Sequence, residues 1–391
     1  MKSVFTFVMC ALCSIVITCV GAEPAAQALR LPRHLLIVDA HNDTVQQILF
    51  EHVDIGKRQV DGGIDLPRLR EGGVGVPFFA LYVPEFYKGA EAVRRTLDYR
   101  DAMQVVFDKY PERVELATSA DDITRITGKD KIAIVLTVEG GHQIDDDLAV
   151  LRVYRRMGVL SMTLTHFRGN NWADSSMAPA EHNGLTDFGK DVVREMNAIG
   201  MIVDISHVSD KTFYDALAVS SKPVIASHSS CRSISDHPRN MSDDMLVALG
   251  KNGGVVGANF YSAFLNQQEA AEGMKRISKS NTLAPSETGA ALDEYAVNYH
   301  VETGDIRPRV GYAKLDDAVS CIDHIAKLIG VDHVGIGSDF DGIPIVPQGL
   351  EDISNMPALA AALMRKGYSE SDIRKIMGGN FVRVIRQVVG H

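Results

Sequence analysis

Eight short apolar, β-prone runs lie along this chain, mostly separated by stretches with helical spacing, and nothing else narrows the fold as much. The runs occupy residues 35–38, 75–83, 132–138, 161–165, 201–206, 223–227, 254–260 and 333–338. Helical stretches read at 90–110, 147–157, 187–199, 209–219, 242–249, 315–329, 356–366 and 369–388, with Gly158 and Gly200 as stops and Ser209 as an N-cap. Apolar strands alternating with helices imply right-handed βαβ units. Eight of them in one chain close most economically as an α/β fold of the (β/α)8 TIM-like barrel type. A doubly wound open sheet is the alternative, disfavoured because no Gly-rich phosphate loop follows the first run. The stretch from the first run to Leu69 reads as a long loop. Residues 262–312, polar and punctuated by Pro285, Gly289, Gly304 and Pro308, read as a partly helical insertion between strands seven and eight.

The ends of the runs carry the chemistry. His41 and Asp43 follow the first, Glu139 the third, His166 the fourth, His207 the fifth, His228 the sixth and Asp339 the eighth. In a barrel those strand ends form one rim, where active sites sit. If strand geometry persists to Asp43, its carboxylate and the His41 imidazole point the same way, because strand side chains alternate. A single His-x-Asp is more often a polar turn, and a single histidine more often an ordinary hydrogen-bonded group. Six strands ending alike point instead to a metal site. Four imidazoles and three carboxylates exceed the three protein ligands that one catalytic zinc needs. A pair of ions sharing a carboxylate, about 3.5–4 Å apart and holding a hydroxide between them, uses the set economically. His142 is either support for these ligands or a structural group after Gly140-Gly141. No His-Glu-x-x-His helix and no Gly-x-Ser-x-Gly elbow is present, which argues against those two hydrolase designs.

Composition sets the surroundings of such a site. A length of 391 residues suits one large α/β domain. A formal net charge of −10 argues against nucleic acid and against docking on anionic lipid. Met1-Lys2, then an uncharged apolar stretch to Val20 and the small residues Gly21-Ala22, read as a secretory signal cleaved after Ala22. That leaves a single domain over 23–391 and predicts an exported protein, periplasmic or secreted. An uncleaved anchor and a lipoprotein attached through Cys19 are the weaker alternatives. The C-terminus lacks the apolar tail of a glycolipid anchor, so no membrane attachment is expected once the signal is removed. Only Cys231 and Cys321 remain beyond the signal, and spacing does not say whether they pair.

The segments Asp39-Ala40-His41-Asn42-Asp43, Val138-Glu139-Gly140-Gly141-His142, Leu164-Thr165-His166, Asp204-Ile205-Ser206-His207-Val208, Ser227-His228-Ser229 and Gly337-Ser338-Asp339-Phe340-Asp341-Gly342 together resemble the renal (membrane) dipeptidases. These are zinc metallopeptidases of the amidohydrolase superfamily. The resemblance extends in order over nearly all of the mature chain and includes Arg239-Asn240-Met241-Ser242-Asp243, Asn259-Phe260-Tyr261 and Gly379-Asn380-Phe381. No single segment is specific; the combination is. It implies two Zn2+ per chain, one on His41 and Asp43, the other on His207 and His228, with Glu139 bridging. It implies that His166 contacts substrate and steadies the oxyanion, that Arg239 grips the C-terminal carboxylate, and that Asp339 carries a proton to the leaving amine. Tyr261 joins the expected substrate-binding set, and Asp341 is read as supporting its turn. The implied substrates are dipeptides, with tolerance of a D-residue in second place and of dehydropeptide or β-lactam-like amides. Residues 262–312 match no family motif, so the contacts of a homodimer are not carried over. Two rival readings stand beside this one: another amidohydrolase reaction on a cyclic amide, lactone or phosphoester, and a noncatalytic periplasmic binding protein on the same barrel.

Overall fold

A computed structural model describes residues 32, 34–272 and 309–390. The proposed signal segment, with Cys10, Cys13 and Cys19, and most of the insertion lie outside the described residues. The strands are β1 (Ile37–Asn42), β2 (Val74–Tyr82), β3 (Val114–Leu116), β4 (Ile132–Glu139), β5 (Val159–Thr163), β6 (Ile202–Asp204), β7 (Ile225–Ser229), β8 (Val255–Ala258), β9 (Arg309–Lys314), β10 (Val334–Ile336) and β11 (Ile345–Gln348). Eight of them, β1-β2-β4-β5-β6-β7-β8-β10, pair in parallel, and β3 adds to the start of β4. The sheet turns back on itself: the Asp339 N–H donates to the His41 carbonyl and the Asp43 N–H to the Phe340 carbonyl, each at 3.0 Å. Below them the Ser338 N–H and hydroxyl both donate to the buried Asp39 carboxylate, at 2.7 and 2.8 Å. The fold is a (β/α)8 barrel, as the eight runs predict.

The strands are buried on both faces, which is why they read as continuous apolar runs rather than as alternating ones. One apolar cluster lies between strands and helices and includes Phe79, Leu81, Leu136 and Ile336. A second joins strand residues Val38, Val76, Phe78, Val135, Ile202, Ile225 and Val255 to Phe381, Val384, Ile385 and Val388 of the final helix, Asn380–Val388. Most of these strand residues lie near strand starts, so the last helix closes the end of the barrel opposite to the rim.

Three local expectations need correction. The stretch after β1 is not all loop: Thr44–Phe50 and Leu66–Glu71 are helices, the second capped by Asp65, whose side chain accepts the Arg68 N–H at 2.8 Å. The expected helix over 369–388 is broken by a π-type turn at Lys375–Gly379. Gly378 passes so close to β1 that a Cβ there would sit 2.6 Å from the Leu36 carbonyl oxygen. Residues 309–312 belong to β9, which pairs in parallel with β11, while Ser262–Leu265 is helical. The two cysteines are buried thiols with sulfurs 3.2 Å apart, joining the loop after β7 to the helix Leu315–Ile329.

Phe381 is 1% exposed, and truncating it would empty the barrel floor. Phe381→Ala is expected to cost about 3–5 kcal/mol of unfolding free energy. Denaturant titration measures this, and metal content at 25 °C should stay that of the parent because the rim is at the other end.

Candidate metal centre

The rim collects seven side chains from six strand ends. His41 lies within β1, and its Nε2 is 3.4 Å from Asp43 Oδ2, 3.4 Å from Glu139 Oε1 and 3.9 Å from Asp339 Oδ1. Around the same Glu139 oxygen stand His207 Nε2 at 3.1 Å, His228 Nε2 at 3.4 Å and His166 Nε2 at 4.0 Å. His207 and His228 turn their Nε2 atoms toward each other at 2.8 Å. Every one of the sequence-derived ligands is therefore in one buried cluster. The route to it differs at one point: β1 stops at Asn42, and Asp43 is an N-cap with φ −108° and ψ 16°, not a strand residue. The Asp43 N–H still bonds to Phe340 across the barrel seam, beside a parallel bridge between Asn42 and Phe340.

Backbone geometry at the rim is strained in a consistent way. His207 (φ 69°), Asp339 (φ 64°) and Asp341 (φ 66°) lie in the left-handed region, which costs a side-chain-bearing residue about 1–2 kcal/mol. Asp204 supports the first of these departures: its Oδ1 accepts the Ser206 and Ser227 N–H groups, each at 3.0 Å, where β6 has already ended. Asp341 ties its turn to two distant segments by accepting the Gly63 N–H (2.5 Å) and the Thr44 hydroxyl (2.7 Å). Gly342 leaves room beside it, since a Cβ there would overlap Asp43 Oδ2 and come within 2.8 Å of Asp339 Oδ1.

The electrostatics call for positive charge. Burial lowers the proton affinity of His207 and His228, and the neighbouring cations Arg239 and His41 deepen the effect, so both are neutral. Burial also opposes protonation of His41, but Glu139 and Asp43 outweigh it and raise its pKa. Asp339 is pushed up to about 7 by burial first, with Asp43 and Glu139 acting in the same sense against His41. One Glu139 carboxylate cannot satisfy four imidazoles and two further carboxylates. His41 Nε2 has no hydrogen-bond partner despite being buried. Three sets of ligand atoms each converge within 4.8 Å: His41, Glu139 and His228; Glu139, His166 and His207; His41, Asp43 and Asp339. Imidazole nitrogens and carboxylate oxygens facing a common point in this way fit zinc-like divalent cations.

The remaining expected residues surround this cluster. Arg239 is buried, donates from Nη2 to the His228 carbonyl at 3.2 Å, stacks on Phe264 with Cζ 5.5 Å from the ring centre, and has no partner for Nε. Burial pulls its pKa down to about 10. Tyr261 reaches the site through Asn259: its N–H donates to Asn259 Oδ1 at 2.6 Å, while Asn259 Nδ2 donates to Asp339 Oδ2 at 2.7 Å. His142 folds back over Gly140. Two residues escaped sequence reasoning. Asn259 orients Asp339, and Glu85, beyond the end of β2, lies 2.8 Å from His166 Nδ1. A carboxylate just past a barrel strand was the available signal for Glu85.

Fold and site together define a metal-dependent hydrolase on a (β/α)8 barrel. Residues 25–390 match the family described as membrane dipeptidase (peptidase family M19). The chain is 36% identical over 366 residues to Dipeptidase tcpJ of Claviceps purpurea, an alignment covering 90% of this chain and 76% of that protein. It is 36% identical over 372 residues to Dipeptidase 3 of Mus musculus, covering 93% and 66% respectively. The crystal structure of the probable dipeptidase PvdM from Pseudomonas aeruginosa superposes with a TM-score of 0.76 at 26% identity, covering 91% of this chain and 96% of that one. The chain belongs to the membrane dipeptidase family and is a metallopeptidase of the dipeptidase class.

If the cluster holds divalent cations, adding zinc to chelator-treated protein should raise Tm, because a ligand at about 100 times its Kd adds about 2.7 kcal/mol. Gly342→Ala, which crowds Asp43 and Asp339, should shrink that rise, as scanning calorimetry with and without zinc would record.

Proposed function

We propose that this protein is an exported dipeptidase that works with two zinc ions, held by His41 and Asp43 on one side and by His207 and His228 on the other, with Glu139 shared between them. The observation that carries the reading is the single Glu139 oxygen lying within 3.1–3.4 Å of the Nε2 atoms of His41, His207 and His228. One tetrahedral ion would use only part of this set. Zinc in such a pair supplies Lewis-acid polarisation of the scissile carbonyl and lowers the pKa of an attacking water.

The chain's own side chains do the rest. Arg239, buried and without a carboxylate partner among the described residues, receives the substrate's C-terminal carboxylate through its planar guanidinium. A dipeptide presents such a carboxylate one residue from its scissile bond. His166 Nε2, on the Glu139 side of its ring, meets the oxygen that becomes negatively charged. Asp339, with Oδ2 fixed by Asn259, takes a proton at Oδ1 from the attacking water and passes it to the departing amine. Tyr261, next to Asn259, lines the substrate side. Tolerance of a D-residue in second place follows from the family resemblance of the motifs. Export rests on the apolar N-terminal stretch; N-terminal sequencing of the mature protein should begin after Ala22. Among the described residues no helix is long and apolar enough to cross a membrane.

Zinc-reconstituted protein assayed on Xaa-Xaa and Xaa-D-Xaa dipeptides, tripeptides and lactones should cleave dipeptides in a chelator-sensitive way. Lactone hydrolysis without dipeptide cleavage would favour the other amidohydrolase chemistry, and no hydrolysis at all would favour a binding protein. Arg239→Ala should raise KM for free dipeptides about 30-fold or more, the result of removing one partner of a buried charge pair, yet change turnover of dipeptide amides by no more than about 3-fold. His41→Ala should bring metal content below two per chain; a value still at two would remove His41 from the ligand set.

A further inference from the structure

Glu85 lies on the loop beyond β2, the one rim position among the first six barrel strands to which sequence motifs assign no role. Its carboxylate is about as buried as the imidazole it meets, with side-chain exposures of 10% for Glu85 and 9% for His166. Glu85 Oε1 is 2.8 Å from His166 Nδ1 and also accepts the Arg168 N–H at 3.3 Å. Glu85 Oε2 accepts the Tyr82 hydroxyl at 3.4 Å. A carboxylate so close to a ring nitrogen requires the proton on Nδ1, and that hydrogen bond fixes which edge of the imidazole faces outward. The other edge, Nε2, is turned toward Glu139 at 4.0 Å.

The ring is held on its faces as well. Tyr82 lies 4.4 Å from the His166 ring centre, Phe167 4.3 Å and His207 4.4 Å. These contacts limit tilting, but stacking alone does not distinguish the two flipped orientations of an imidazole. Only a directional bond to one nitrogen does. Glu85 is the side chain among the described residues that makes it, and it is itself anchored at both oxygens from β2 and from the loop after His166.

We propose that Glu85 is a positioning residue for catalysis: it holds the His166 imidazole so that Nε2 points at the scissile carbonyl. This rests on the reading of His166 given above. Loss of the orienting carboxylate beside a metal-ligating histidine costs about 10–100-fold, and a loss of the same order is expected for this substrate-facing one.

A double-mutant cycle tests it. Glu85→Ala should lower kcat on a dipeptide about 10–100-fold, with KM within about 3-fold of the parent and zinc content unchanged, which a merely misfolded rim would not give. Glu85→Gln, whose side-chain oxygen still accepts from Nδ1, should recover most of kcat. In a His166→Ala background Glu85→Ala should have no further effect. Equal losses from Glu85→Ala in both backgrounds, an unchanged kcat, or failure of Glu85→Gln to recover activity would overturn the proposal. If His166→Ala itself left kcat intact, the assignment of His166 would fall with it; a low kcat for His166→Ala beside a normal one for Glu85→Ala would overturn only the role of Glu85.

Discussion

One carboxylate at the end of β4 sets the terms for the whole rim. Glu139 is 2% exposed, and four imidazole nitrogens lie within 3.1–4.0 Å of one of its oxygens. Removing that many polar atoms from water is unfavourable unless each finds a partner, and one acid cannot serve four bases. The left-handed backbone at His207 and Asp339, the Asp204 and Asp341 braces, and the space left by Gly342 are all found around this crowded rim. The left-handed backbone is locally unfavourable, and the hydrogen-bonded braces help to hold it. They make sense together as the framework of a cation site in a dipeptidase-family barrel.

The opposite end of the barrel follows other rules. There Val38, Val76, Ile202 and Ile225 meet Phe381 and Val384 of the last helix in apolar packing, and Gly378 approaches Leu36 closely. Stability is concentrated at this end, so that strain at the rim is tolerated. Tilting any one strand would move one ligand without moving the others, and the packed floor resists such tilts.

Much of this was legible in the amino-acid sequence because barrel strands are short, doubly buried and end abruptly. His41, Glu139, His166, His207 and His228 each close an apolar run, so their convergence needs no knowledge of long-range contacts. What was not legible depends on contacts between distant segments. The Asp43 N–H meets the Phe340 carbonyl from the other end of the chain, and no local pattern announces that the strand stops just before it. Glu85 finds His166 only after β2 and β5 are brought to one rim. The break at Lys375–Gly379 sits inside a sequence with good helical periodicity, at the point where Gly378 passes close to Leu36 and Val38. The β9–β11 pair joins segments separated by a helix and a barrel strand.

The seam between β1 and β10 has a consequence for the order in which the molecule comes into being. His41 and Asp43 belong to the first barrel strand and its exit, and Asp339 follows the last. A ribosome releases the first two some three hundred residues before the third. Until the Asp339 and Asp43 N–H groups cross the seam, the first half of the cluster has no fixed geometry. A product truncated before β10 would lack the seam that joins the first strand end to the last, and with it the arrangement of His41, Asp43 and Asp339.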